Sequence, residues 1–242
     1  MIIDRPRASH IPALTALWQE AFGDSETFIE GFFRTGFSPE RSRCLWLGEQ
    51  LAAALYWFDC RLEERPIAYV YAVATAKAFR GQGLCRKLME NTRLLLANLG
   101  YSGIILVPEA HLFPMYEGMG YRICSHIQEL ACRRGDVPVA LQEIDCTQYA
   151  QLRRQYLPAG GVLQENENLQ FLSALTKFYA GDDFVYAENA ELLGNTEAAP
   201  GILAALGKTT GTFRCPGNGR PFAMYLPLDN QDAPAYFGLA FD

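Results

Sequence analysis

Histidine is scarce in this chain. The three present, His10, His111 and His126, have no spacing that would gather the ligands of a metal ion, so no metal site is expected. Cysteine occurs seven times, but the residues are scattered, odd in number and never spaced C-x-x-C. That argues against a disulfide framework or a cysteine zinc site and for a reduced, cytoplasmic protein. No apolar window reaches membrane-spanning length, and MIIDRPRASHIP places acid and proline where a signal peptide would have its apolar core. No Gly-x-Ser-x-Gly elbow is present.

Basic charge is also in short supply. The formal charge is −6, with 13 basic and 13 acidic side chains in residues 1–122 but 8 and 14 in residues 123–242. A chain with no basic stripe is a poor ligand for nucleic acid, whereas an acidic surface draws cationic amines towards a cleft. What the chain has in quantity is core material. Half of its residues are hydrophobic, enough for one large domain or two small ones.

Residues 69–86, YVYAVATAKAFRGQGLCR, organise the chain. The first seven are β-branched, aromatic or small and suit a central strand. After Arg80-Gly81-Gln82-Gly83-Leu84-Cys85, apolar residues Leu84, Leu88, Leu95 and Leu99 recur at helical spacing. A helix start offers unpaired N–H groups and partial positive charge, glycine lets an anion approach them, and Arg80, Arg86 and Lys87 add full charge. The loop therefore reads as a cradle for a diphosphate. It lacks the Gly-Lys-Ser/Thr of a Walker loop, and Arg86 stands where a dinucleotide fingerprint has its third glycine.

Arg80-x-x-Gly83-x-Cys85 resembles the acyl-CoA loop of the GNAT superfamily of N-acetyltransferases, with Cys85 in place of the usual Gly or Ala. Leu106-Val107-Pro108 and Tyr116-Glu117-Gly118-Met119-Gly120-Tyr121 resemble that family's next strand and its FYEKLGF-like segment, and residues 5–14 its first strand and helix. The resemblance implies an α/β (α+β) fold, a mixed central sheet flanked by helices. It also implies transfer of acetyl from acetyl-CoA to a primary amine of a small molecule or peptide. The loop, Arg80, Gly81, Gln82, Gly83, Leu84, Cys85 and Arg86, would hold the diphosphate, and the backbone of Val73, Ala74 and Thr75 the pantetheine. Tyr116 occupies the position of the family's general acid. A phenol titrating near 10 can protonate a thiolate whose thiol titrates near 8.5. Glu109 and His111, just beyond the buried strand, are candidates for the base. Glu20, Asp24, Glu26 and Glu30 are candidates for the amine side of the cleft, and the terminal carboxylate of Asp242 for reaching it. A helix start lowers a thiol's pKa, which makes Cys85 a candidate reactive thiol.

Around this stretch the pattern predicts a strand at residues 2–5, a helix capped by Ser9, an aromatic-rich second helix and an antiparallel meander over residues 44–75. A buried strand at residues 104–107 should lie parallel to the last of these. Two units are expected: residues 1–130, with the acyl-CoA loop, and residues 137–242. In the second, Tyr149, Leu152 and Tyr156 repeat the spacing of Ile11, Leu14 and Trp18 at an offset of 138 residues. It continues with a helical face over residues 169–178, a strand over 184–193, a helix near 200–206 and strands at 222–226 and 236–241. Where its cradle would fall stands Glu197, which would repel a diphosphate. The second unit therefore reads as a degenerate copy of the first, resembling tandem members of the family. The alternative function is a non-catalytic module of the same fold that senses acyl-CoA or joins partners.

Overall fold

The computed structural model describes residues 1–241; Asp242, a candidate for the cleft, lies outside the described residues. The first half runs β1 (Ile2–Asp4), a 3-10 turn (Ala8–His10), α1 (Ile11–Phe22), α2 (Glu26–Thr35), β2 (Ser42–Leu47), β3 (Gln50–Leu62), β4 (Arg65–Thr75), α3 (Leu84–Asn98), β5 (Gly103–Leu106), α4 (Phe113–Glu117) and β6 (Arg122–Arg133). The second runs β7 (Gln142–Ile144), α5 (Cys146–Tyr156), β8 (Leu163–Gln164), α6 (Glu167–Ser173), β9 (Phe178–Ala180), β10 (Phe184–Ala187), β11 (Glu191–Gly194), α7 (Ala199–Ala205), β12 (Thr210–Pro216) and β13 (Arg220–Pro227).

Local chemistry explains most of these elements. Helix α1 buries Leu14, Leu17 and Trp18 on one stripe and stops at Gly23, whose left-handed backbone closes the turn. Ser25 then caps α2, its hydroxyl accepting the Phe28 N–H at 3.3 Å. Ser9 does not cap α1. It sits inside the preceding 3-10 turn, and the N-cap position falls to His10. In α3, Leu84, Leu88, Met89, Thr92 and Leu96 face inward, while Leu99 is exposed past the helix end.

The large sheet has the order β1-β2-β3-β4-β5-β13-β6-β12, with β8 added to the side of β3. The meander β2-β3-β4 is antiparallel and β4-β5 is parallel, as a right-handed crossover through α3 requires. A second sheet has the order β11-β10-β9-β7. The sheet boundary does not follow the division expected at residues 130–137. Strand β13 enters the first sheet between β5 and β6, and β12 closes its edge against β6. Strand β6 was not anticipated: its buried positions Ser125 and Ile127 alternate with exposed neighbours only briefly before two exposed residues, Gln128 and Glu129, break the pattern.

Three further expectations are corrected. The strand over residues 184–193 is a hairpin, β10 and β11, turning at Asn189 with φ of 60°. The helical face over residues 169–178 ends with α6 at Ser173, and Phe178 begins β9. Residues 236–241 form a strap rather than a strand, with a single bridge between Gly161 and Tyr236.

Both halves nevertheless share an element order. Each has a strand, two helices, a three-stranded meander, a helix and a strand, with α5 standing where α1 stands in the first, except that the short β8 intervenes between the two helices of the second. Two apolar clusters cover the opposite faces of the large sheet. One joins α1, α2 and α6 through Trp18, Phe32, Phe58 and Phe171; the other joins α3 and α4 through Leu88, Val70, Leu106 and Tyr116. A third lies around α7, β10 and β12.

Candidate active site

The loop expected to serve as the cradle is exposed to solvent at residues 80–83. Gly81 and Gly83 have φ of 77° and 72°, a region that penalises side chains, and a Cβ added to either would meet nothing within 4 Å. Gly83 is the N-cap of α3 and has no side chain to satisfy the helix start. The first helical bond is Lys87 N–H to the Gly83 carbonyl at 3.1 Å, so the N–H groups of residues 81–86 have no acceptor among the described residues. Arg80 Nε donates to the Thr75 carbonyl at 3.0 Å, which ties the loop to the end of β4. Arg86 Nη1 donates to the Gly118 carbonyl at 2.9 Å, which ties the helix start to the turn after α4.

Beside the cradle the sheet opens. Pairing between β4 and β5 ends at Tyr69 and Ile105, although β4 continues to Thr75. The cause lies in β4. Its register against β3 slips by one residue between the pairs Tyr56 with Tyr71 and Ala54 with Ala74, and Ala72 takes a left-handed φ of 49°. A bulge of this kind bends its strand, and its strain is of order 1–3 kcal/mol.

A cavity of about 450 Å³ fills the opening. From the α3 face it is lined by Val70, Val73, Leu106, Leu112 and Tyr116; from the α1 and α2 face by Trp18, Phe22, Asp24, Phe28 and Tyr71, with Glu109 at the end of β5. Of the three residues expected to align the pantetheine, Val73 lines the cavity, Ala74 is buried and Thr75 has its carbonyl bonded to Arg80. The cavity-lining part of β4 is residues 69–73.

Tyr116 is 5 % exposed and reaches the cavity from α4, its ring edge-on to Tyr121 at 5.6 Å. Burial, with a smaller contribution from Cys85, raises its hydroxyl pKa well above the usual phenol value. Cys85 does not have the low pKa that its helix-start position suggests. Burial raises the thiol, and Arg86 offsets this only in part. Glu109 lines the cavity, whereas His111 does not; the two side chains approach to 3.3 Å and both are mostly exposed. Among the four acids expected near the amine, Asp24 lines the cavity, its Oδ2 accepting the Trp18 indole N–H at 2.7 Å. Glu20 instead accepts the Lys77 N–H at 3.1 Å, at the start of the loop leading to the cradle.

The remaining wall comes from far along the chain and has no motif that would mark it. Phe222 from β13 and Ala240 and Phe241 from the strap line the cavity, together with Arg220. The strap is fixed at nearly every residue. Ser125 and Phe237 exchange two hydrogen bonds, Gln164 Nε2 donates to the Leu239 carbonyl at 2.7 Å, and Tyr71 donates its hydroxyl to the Phe241 carbonyl at 3.0 Å. Its first residue, Tyr236, donates to Glu191 at 2.9 Å. Glu191 also takes Arg153 Nε at 2.7 Å, in a pair that is 1 % and 0 % exposed. Burial works against the Arg153 charge, but Glu191 outweighs it and holds the guanidinium above its ordinary pKa.

A glycine-bearing, solvent-exposed helix start beside a splayed pair of parallel strands, with a tyrosine at the gap, defines the class of the fold. A family model described as acetyltransferase (GNAT) domain matches residues 3–124, half of the chain, and the protein belongs to that family. Among solved structures it is similar in fold to the GCN5-related N-acetyltransferase of Anabaena variabilis, at 13% identity and a TM-score of 0.72, over 94% of this chain and 73% of that one. The GCN5-related N-acetyltransferase of Kribbella flavida gives 14% and 0.67 over 93% and 70%. Eis1 of Mycobacterium abscessus gives 12% and 0.65 over 95% and 74%. No protein of curated function matches the sequence. Among the described residues, no helix is long and apolar enough to cross a membrane, and no three His, Cys, Asp or Glu side chains are grouped to hold a metal.

Proposed function

We propose that the protein transfers the acetyl group of acetyl-CoA to a primary amine. The observation that carries this reading is the run of N–H groups at residues 81–86 without a backbone acceptor among the described residues, on a loop that is exposed at residues 80–83 and adjoins the gap between β4 and β5. Six donors at a helix start fit a diphosphate, and the empty space over Gly81 and Gly83 fits its close approach. Residues 81–86 would hold the diphosphate, with Arg80, Arg86 and Lys87 adding charge, and the free edge of β4 around Val73 would align the pantetheine arm.

Bound acetyl-CoA supplies an activated acyl group, so that the N–C bond to the amine forms as the C–S bond breaks. The chain supplies position and protons. Tyr116 holds a proton on its hydroxyl at every physiological pH and lines the cavity, where it can deliver that proton to the departing sulfur. The acceptor must lose a proton before it attacks, and Glu109, a carboxylate lining the cavity beyond the end of β5, can take it, directly or through water. His111 would act through Glu109. The second unit works on the acceptor side, because its Arg153 and Glu191 anchor the strap that walls the cavity.

The test is thermal stabilisation followed by turnover. Acetyl-CoA should raise the melting temperature while ATP and NAD do not, and an amine panel should release free thiol. In Gly83→Ala, left-handed backbone strain should lower stability by about 1–2 kcal/mol. The same change should remove most of the acetyl-CoA shift, because the new methyl group meets no protein and stands where the anion would lie. A full shift in that variant would show that the loop is not the cradle. Acyl-CoA binding without thiol release for any amine would identify a sensor of the same fold.

A further inference from the structure

The acceptor side of the cavity differs sharply from the cradle side. Trp18, Phe28, Tyr71, Phe222 and Phe241 enclose it, all belonging to or packing on the α1 and α2 face of the sheet, with the exposed Phe22 at the rim. Three charged side chains line the same cavity. Arg220 is already matched, with Nε at 2.8 Å from Glu129 Oε1 and its guanidinium 5.3 Å from the centre of the Phe222 ring. Glu109 is mostly exposed and faces His111 at 3.3 Å, where water screens it. Asp24 is different. The Trp18 indole N–H holds its Oδ2 at the edge of the aromatic wall, and its Oδ1 takes no hydrogen bond among the described residues.

Resting on the acetyltransferase reading above, we propose that the acceptor is a primary amine carried on an aromatic or similarly flat apolar body, an arylalkylamine, with Asp24 as the counter-charge for its ammonium. A ligand pinned at Asp24 must lay the rest of its body against rings. An aryl group gains apolar contact and ring–ring packing there, and the ammonium gains attraction from the ring faces. A polyamine or an amino sugar places further ammonium groups or hydroxyls against the same rings, which offer them few acceptors. Buried polar groups without partners are what such a wall rejects.

Two measurements test this. Thiol release with 2-phenylethylamine, spermidine and kanamycin should give a kcat/KM at least about tenfold higher for the first, the scale on which an apolar pocket discriminates. Asp24→Asn keeps an oxygen for the Trp18 N–H and removes only the charge. It should raise the KM for 2-phenylethylamine about tenfold or more, more than it changes kcat, while acetyl-CoA still raises the melting temperature. The second measurement needs no turnover: titration of 2-phenylethylamine against tryptophan fluorescence should show saturable binding that weakens in Asp24→Asn. A higher kcat/KM for spermidine or kanamycin overturns the proposal and leaves the transferase standing. An Asp24→Asn protein with unchanged KM, or an absence of saturable fluorescence binding, overturns it as well. If acetyl-CoA fails to stabilise the protein, the transferase reading fails instead, and the fluorescence titration alone decides the amine site.

Discussion

Replacing Glu191 by glutamine is the most informative perturbation of the part of this molecule that lies outside its matched family domain. The carboxylate is fully buried and receives Arg153 Nε at 2.7 Å, Arg153 Nη2 at 3.2 Å, the Tyr236 hydroxyl at 2.9 Å and the Tyr149 hydroxyl at 3.3 Å. Glutamine keeps the shape, removes the charge and turns one acceptor into a donor facing donors. The Arg153 guanidinium, 1 % exposed, is then left without its counter-ion. Breaking a buried pair in this way costs about 3–5 kcal/mol, against a total stability of about 5–15 kcal/mol for a folded protein. At about 2–4 °C per kcal/mol for a chain of this size, the melting temperature should fall by about 6–20 °C. Gly238 makes the same point from the other side, since a Cβ there would lie 2.0 Å from the Tyr236 hydroxyl oxygen and 2.6 Å from Glu191 Oε1. Calorimetry measures the loss, and kinetics at a temperature where the variant is still folded measures the consequence. Acetyl-CoA binding should survive, because the cradle is distant in the fold, while the KM for the amine should rise as the strap loosens. A melting temperature lowered by less than about 2 °C would refute the claim that this network carries the strap.

Tyr116→Phe should lower kcat about 100-fold or more while leaving acetyl-CoA binding intact, the range expected on removing a general acid, as steady-state kinetics would show. The pH profile follows from the same residue. The folded-state pKa of Tyr116 is raised, so its hydroxyl stays protonated as pH rises through the ordinary phenol value, whereas the amine becomes reactive by losing its proton. The profile of kcat/KM should therefore climb with pH and show no Tyr116-dependent descent below about pH 10; a falling limb near 8 would sink the assignment. Cys85 should react with iodoacetamide more slowly at pH 7.5 than free glutathione does, because burial raises its pKa, and faster labelling read by mass spectrometry would contradict that.

The sequence alone was enough for the glycine-bearing loop over residues 80–86 and for most of the first half. Two glycines between an apolar strand and an amphipathic helix can satisfy their local chemistry in few ways, and the loop over residues 80–86, α3, β5 and the meander all depend on contacts between near neighbours in the chain. The position of Tyr116 at the gap was legible for the same reason, since α4 follows β5 directly. Which strand would fill the place beside β5 was not legible. Strand β13 pairs there from more than a hundred residues away, and neither its sequence nor that of β6 names its partner. Nor did any motif mark the strap at residues 236–241 as a cavity wall, because it has no repeating pattern and is held by side chains scattered from Tyr71 to Gln164. The pKa of Cys85 was decided the same way: its place at a helix start is local, but the burial that raises it comes from tertiary packing. Periodicity and turn chemistry act over a few residues and can be read in order along the chain. Burial, strand insertion and the pairing of a lone arginine with a lone glutamate depend on what distant segments bring, and only the folded chain decides them.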